Sequence, residues 1–480
     1  MKSKLIKDIS SRTIQVIVNQ LLGLIIFILL TRYLNKEHFG ELNWSVSFLT
    51  FITTILSLRI EQIVVRNVAA GENASKMLTL YAGHTFITGL LFYFLLFLAT
   101  LVSPEFFNRH NLLMVLALSH LFSFFSMPYK QIANGKENYG WLAFMSSVST
   151  LLRAAGLLCI VYYGRLNITQ IIWIYTLSSI VELAVSIYLI QWKLHVTISM
   201  QYTWKDYTLL IKESLPQIGM VIFNICIGRL DIILLGLLST SLITAEYSFV
   251  YKIFELLPIP LLIIGPLLIT RFSAYFSKNG LSSFQDRQQD LDFFIRMEML
   301  LATFFPLMLN VVWSPLIDGF TQHKYGSVNA VTFLLLSICI PLQYLINFYW
   351  TIHFTLNRLA LIFKLTAVTF LIIAIGDFAV IPFYHGEGAA AVYLLGIFVE
   401  CMLYLYFSKF AAAKNALGSL LISVGISFIS GWAAFHFAGA IITKLILAGS
   451  IYIVLMIAAK QLRKQDIQFI QHRAFTPNTR

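Results

Sequence analysis

Fourteen apolar stretches of about 20 residues follow one another along this chain with only short polar breaks between them, and no other feature limits its fold so tightly. They run approximately over 12–33, 41–66, 79–101, 111–133, 141–163, 168–192, 213–238, 246–272, 290–312, 329–353, 359–383, 387–409, 417–436 and 440–460. Roughly 20 apolar residues in a helix cross the hydrocarbon of a bilayer. Inside that layer every backbone polar group must be satisfied within the protein, which favours helices. The chain is 58% hydrophobic and 12% charged over 480 residues, outside the range of a soluble globular domain. The expectation is an all-α polytopic membrane protein of about fourteen transmembrane helices.

The distribution of positive charge orients it. Of the 34 Lys and Arg, 24 fall in segments on the side of the N-terminus, and six (Arg32, Lys36, Arg109, Arg165, Lys324 and Lys444) fall on the other. Arg59, Arg153, Arg229 and Lys252 lie within spans. Cytoplasmic loops collect Lys and Arg, so both termini are expected in the cytoplasm. The net charge of +12 is dispersed over these flanks and does not point to nucleic acid. The opening "MKSKLIKDISSR" is basic, but the apolar run behind it is long and lacks a small-residue cleavage site, so it reads as a retained first span.

Several chemistries find no support. Cys159, Cys226, Cys339 and Cys401 all sit in apolar runs without a CxxC pattern, so neither a disulfide framework nor a metal site is expected. There is no GxxxxGK[ST] loop, no HExxH and no GxSxG. "DLD" at Asp290 to Asp292 reads as a solvated helix start, where the helix dipole favours acid. No loop has room for an extramembrane catalytic domain, and no cofactor is expected.

A shift of 205 residues aligns Lys7 with Lys212, Asp8 with Glu213, Asn19 with Asn224, Glu41 with Glu246 and Arg66 with Arg271 in one ungapped register. Internal repeats of this kind are common in transporters. The expected organisation is a six-helix bundle over 1–192, a cytoplasmic linker over 193–212, a second six-helix bundle over 213–409, and two extra helices with a basic tail over 410–480.

Charges within the spans are the candidate functional residues, because an ionisable group in hydrocarbon is costly and normally faces a partner or a water-filled cavity. The stretch "LSLRIEQIVVR" places Arg59, Glu61 and Arg66 in the second span, with Arg59, Gln62 and Arg66 on one helical face. Counting residues from each connecting loop sets the depth of the others. Asp231 and Lys252 fall at one level, as do Arg229 and Glu255, and Arg153 and Glu182 both approach the midplane, so three cross-helix pairs are geometrically open. Along the seventh span Gln217, Asn224, Gly228 and Asp231 recur as a polar stripe. Pro258, Pro260 and Pro266 in the eighth favour a bend. Such pairs serve either as lumen residues or as glue between bundles.

"TRYLNKEHFGELNWSVSFLTFITTILSLRIEQIVVRNVAAG" (31–71) and "GRLDIILLGLLSTSLITAEYSFVYKIFELL" (228–257) resemble the polysaccharide exporters and O-antigen flippases of the multidrug/oligosaccharidyl-lipid/polysaccharide exporter superfamily. The resemblance implies a V-shaped, MATE-like pair of six-helix bundles related by a pseudo-two-fold axis. It implies alternating-access transfer of an undecaprenyl-pyrophosphate-linked oligosaccharide, an O-antigen or other surface polysaccharide repeat unit, from the inner to the outer leaflet. It further implies an H+ or Na+ coupling ion and work alongside a polysaccharide polymerase and chain-length proteins in lipopolysaccharide assembly. Matching positions carry over Arg59, Glu61, Arg66 and Asp231 as lumen or mouth residues. Because basic and acidic residues balance within the spans, Arg66, Arg271 and Arg358 at the cytoplasmic mouth become the expected captors of a pyrophosphate. A multidrug cation antiporter of the same superfamily is the alternative, and a membrane glycosyltransferase or polymerase a more distant one.

Overall fold

In the computed structural model the described residues are 2–463, apart from 165, 200–202, 262–264, 266–267, 270–271, 273–287, 409–410 and 438; the side chains of 2–17, 288–291 and 411–414 are likewise outside the description. No strand occurs among the described residues. Ten helices cover the first half of the chain: α1 (Lys2–Tyr33), α2 (Lys36–Leu56), α3 (Ile60–Ala69), α4 (Ala74–Val102), α5 (Pro104–Arg109), α6 (Leu113–Gly135), α7 (Tyr139–Tyr163), α8 (Ile168–Tyr188), α9 (Trp204–Leu238) and α10 (Ser241–Phe254). The second half holds α11 (Gln288–Thr321), α12 (Ala330–Thr355), α13 (Leu359–Phe407), α14 (Ala411–His436) and α15 (Ile441–Ala458). Among the described residues nine helices are long and apolar enough to cross a membrane, or ten when the bent pair α2 and α3 counts as one span. Expected and observed all-helical polytopic architecture agree.

The sequence-defined span 359–383 and all but the last two residues of 387–409 fall inside the 49 residues of α13. A helix of that length would reach about 74 Å, more than twice the hydrocarbon thickness. It does not run straight. His385 leaves helical geometry (φ 51°, ψ −130°), and the two legs return along each other: a Cβ built on Gly376 would lie 2.6 Å from Val392, and one on Gly396 would lie 2.6 Å from Ile373. Glycine at 376 and 396 is what permits this approach.

The chain divides into two compact units, Met1–Ala245 and Glu246–Arg480. In the first, α6 is central: α4, α8 and α3 pack on it, α1 lies along α7, and α9 lies along α2. The α2–α9 contact is close because Gly236 faces the indole of Trp44, whose Nε1 donates to the Ile233 carbonyl at 3.0 Å. In the second unit α12 packs against α13, and α11 is flanked by α14, α12 and α15. A cavity of about 410 Å³ lies there between α11, α12 and α14, lined by Asn310, Ser337, Ser427, Trp432 and apolar neighbours.

Candidate functional site

The second span is broken where its charges begin. α2 ends at Leu56, and Leu58 and Arg59 both adopt left-handed φ (48° and 61°) before α3 starts at Ile60, with a 53° bend between the helices. Side chains other than glycine seldom occupy that region. A helix break leaves carbonyls without their i+4 donors, and His84 of α4 takes one of them, its Nε2 lying 2.7 Å from the Leu56 oxygen while its Nδ1 lies 2.9 Å from the Tyr207 hydroxyl of α9. Since a carbonyl only accepts, Nε2 carries the proton and Nδ1 accepts from Tyr207. His84 is buried.

Around this break the charged residues of the second span find partners on their own helix and on α9. Arg59 and Glu61 approach to 3.8 Å. Arg66 forms an ion pair with Glu213 of α9 and donates from Nε to Asn67 Oδ1 at 3.1 Å. Lys76, at the start of α4, pairs with Asp206 in the first turn of α9 at 2.8 Å. α9 spans 35 residues, longer than a bilayer requires, so Asp206 projects beyond the apolar segment 213–238. There the Lys76 hydrogen bond, helped by the Thr203 cap, draws its carboxyl down to about 2.

Arg153 and Glu182, expected at one depth, join one network without pairing directly. Glu182 is buried and forms its ion pair with Lys130 of α6, and accepts from Ser126 at 3.2 Å. Arg153 donates to Ser178 at 3.0 Å and Ser179 at 2.9 Å, with its guanidinium 4.4 Å over the Tyr175 ring. Ser123, bonded to both Ser179 and Glu182 at 3.2 and 3.4 Å, links the two ends.

Asn224, Arg229 and Asp231 lie on α9; Asn224 is exposed, Arg229 half-buried, and Asp231 buried, with an oxygen accepting from the Ile232 N–H at 2.7 Å. Lys252 pairs with Glu255, three residues on, at 3.0 Å. Arg358 is exposed and stands at the N-cap position of α13. Arg271 lies outside the described residues.

Sequence reasoning passed over several buried groups. Glu41 and His110 form a buried pair at 3.1 Å, with Trp44 stacked on the His110 ring at 3.8 Å. Lys130, near the end of the span 111–133, lies on α6 and pairs with Glu182. Glu298 and Glu400 are buried acids within α11 and α13. No group of three or more His, Cys, Asp or Glu suited to a metal occurs among the described residues.

The arrangement holds paired charges in a helical bundle, where ionisable side chains are candidates for function. Residues 5–276 match the family model described as "Polysaccharide biosynthesis protein". No curated protein matches the chain. Among solved structures, the lipid II flippase MurJ in an inward closed conformation is similar over 93% of this chain and 98% of its own, at 15% identity and a TM-score of 0.74. An inward-facing multidrug resistance MATE transporter of the MOP superfamily covers 85% and 98% at 13% identity and 0.64. A MOP superfamily transporter from Pyrococcus furiosus, noted for a binding pocket of reverse polarity, covers 91% and 97% at 13% and 0.53. These likenesses establish a MurJ- and MATE-like transporter fold, and with more than half of its length matched by the family model, the chain belongs to the polysaccharide biosynthesis protein family.

Proposed function

We propose that the protein is a flippase that moves an undecaprenyl-pyrophosphate-linked oligosaccharide, such as an O-antigen unit, from the inner to the outer leaflet of a bacterial inner membrane by alternating access. The observation that carries this reading is the polysaccharide-biosynthesis match over 5–276, which contains the whole broken second span with Arg59, Glu61 and Arg66. The likeness to a structure named as a lipid II flippase supports the same class. In this reading both termini are cytoplasmic, and Arg66, Arg271 and Arg358 receive the pyrophosphate at the mouth. Guanidinium suits that task because its planar donors match phosphate oxygens in pairs. Glu213 holds Arg66 until an anion of higher charge competes for it.

Further inside, Arg59, Glu61, Asn224, Arg229 and Asp231 line the path, Arg153 and Glu182 brace the first bundle, and Lys252 and Glu255 change partners as the bundles rock. The bundles themselves are taken as 1–192 and 213–409, with the linker 193–212 between them and 410–480 as an appendage. Transport is coupled to H+ or Na+, and a polymerase and chain-length proteins consume the product. The test is complementation of a flippase-deletion strain. Arg66→Ala and Asp231→Ala are each expected to lose most surface polysaccharide at normal protein abundance. Wild-type polysaccharide in both variants overturns the site assignment. A cation antiporter, suggested by the likeness to MATE transporters, instead predicts drug resistance in an efflux-deficient host.

A further inference from the structure

The cavity of about 410 Å³ in the second unit is walled by α11 from Ala302 to Ser314, by α12 from Ala330 to Pro341 and by α14 from Val424 to Phe435. α14 runs parallel to α11, since Asp292 meets Asn415 and Thr303 meets Ser427. The cavity therefore lies beside the C-terminal half of both and the N-terminal half of α12, all at one end of the unit. In the orientation proposed above, that end is at the depth of the outer leaflet.

The polar groups on the wall are largely spent within the protein. Asn310 Nδ2 donates to the Pro306 carbonyl at 2.8 Å and to Ser337 at 2.9 Å, and Ser337 donates onward to the Leu334 carbonyl at 2.8 Å. Thr303 donates to the Met299 carbonyl at 2.8 Å and lies 2.7 Å from the Tyr452 hydroxyl. What is left facing the space is chiefly apolar, so its occupant should be apolar too. A cavity of about 150 Å³ takes up benzene, so in proportion one of about 410 Å³ holds roughly 16 carbons. That is a single acyl chain. An undecaprenyl chain is several times larger and does not fit.

The mouth supplies a charge. Phe428, Trp432 and Phe435 on the rim are 50%, 67% and 73% exposed, so the cavity opens on the outer surface of α14, and Trp432 stands one turn from that helix's end. Over the Phe435 ring sits the ammonium of Lys444, from the first turns of α15, 5.9 Å from the centroid. Lys444 is one of only six of the 34 Lys and Arg that the sequence puts on this side, against the usual bias. No Asp or Glu occurs between Glu400 and Asp466, so neither α14 nor α15 offers it an acid. Asp318, at this end of α11, is buried and taken by the Gly326 and Ser327 N–H groups at 2.8 and 3.0 Å. A cation above an apolar slot of this size matches a phosphate with one acyl chain beneath it.

We propose that the cavity binds one chain of an anionic glycerophospholipid of the outer leaflet, with the lipid phosphate on Lys444 and the second chain left in the bilayer. The bound chain fills the gap between α14 and the α11 and α12 pair. A membrane lipid thereby completes the packing of the two helices that follow α13. The leaflet depends on the orientation proposed above; the site does not depend on what the protein carries.

Native mass spectrometry of the full chain in detergent, titrated with dioleoylphosphatidylglycerol, tests the site. The wild type is expected to keep one such lipid after all weaker adducts are stripped. Val424→Trp and Leu334→Trp fill the cavity from two different helices, and each should lose that lipid while eluting as a folded monodisperse protein. Lys444→Gln should bind it about fivefold more weakly and bind dioleoylglycerol, which has no phosphate, as the wild type does. Full retention in a folded filling variant, or unchanged phosphatidylglycerol affinity in Lys444→Gln, overturns the proposal; if both filling variants misfold, Lys444→Gln decides alone. Undecaprenyl phosphate shares the charged group but brings the larger chain. It should leave the bound lipid in place, and displacement overturns the proposal by making the cavity a seat for the cargo's own tail.

Discussion

Glu41 and Glu182 of the first unit and Glu298 of the second are buried in opposite ways. In the first, Glu41 has His110 and Ser45, and Glu182 has Lys130, Ser126 and Ser123. In the second, Glu298 is buried as fully, with neither oxygen partnered among the described residues. A buried pair survives only when its geometry recovers the cost of desolvation, and such pairs fix an arrangement more than they add stability. An unpartnered acid fixes nothing while it is neutral, and becomes demanding once it ionises. Glu41 and Glu182 are therefore held as fixed pairs, whereas Glu298 is held by packing alone among the described residues.

Three substitutions probe this contrast. Lys130→Met leaves Glu182 without its cation and is expected to cost about 3–5 kcal/mol of unfolding free energy, read by denaturation in detergent, with most of it regained in the double variant with Glu182→Gln. If the single variant is neutral, Glu182 is not held as an ion. Glu298→Met should hold or raise stability, within about 1 kcal/mol, since a neutral acid gives way to an apolar chain of similar length. A loss comparable to that of Lys130→Met would erase the difference between the units.

The smallest effect is expected at the half-buried Lys76–Asp206 pair. The folded-state carboxyl of Asp206 is depressed from 3.8 to about 2, so its contribution is complete above 3.8 and disappears as pH falls through that interval. The melting-temperature difference between wild type and Asp206→Asn should shrink over the same range and be flat above it.

Much of the fold was legible because spanning helices announce themselves by length and hydropathy, and the turn at His385 falls in the gap between two such runs. The charged candidates in the second span were legible for the same reason, as polar exceptions in an apolar run. The break at Leu58 and Arg59 was not, since no glycine or proline marks it; a left-handed pair of ordinary residues is held there by contacts such as the one from His84, 25 residues downstream of Arg59. Depth counting brought Arg153 and Glu182 to one level but carries no information on which way each side chain faces around its helix. So Lys130, on a third helix, takes the carboxylate. Glu298 escaped notice because an acid a few turns into a span resembles an extension of the polar start at Asp292.

The α13 hairpin has a consequence for how the protein is made. Its legs are joined through a single non-helical residue and touch along Gly376 and Gly396. There is no slack with which the first leg could settle in the bilayer while the second waited outside. The two must enter as one body, and the insertion machinery has to accommodate both legs at once before residue 407 has cleared it.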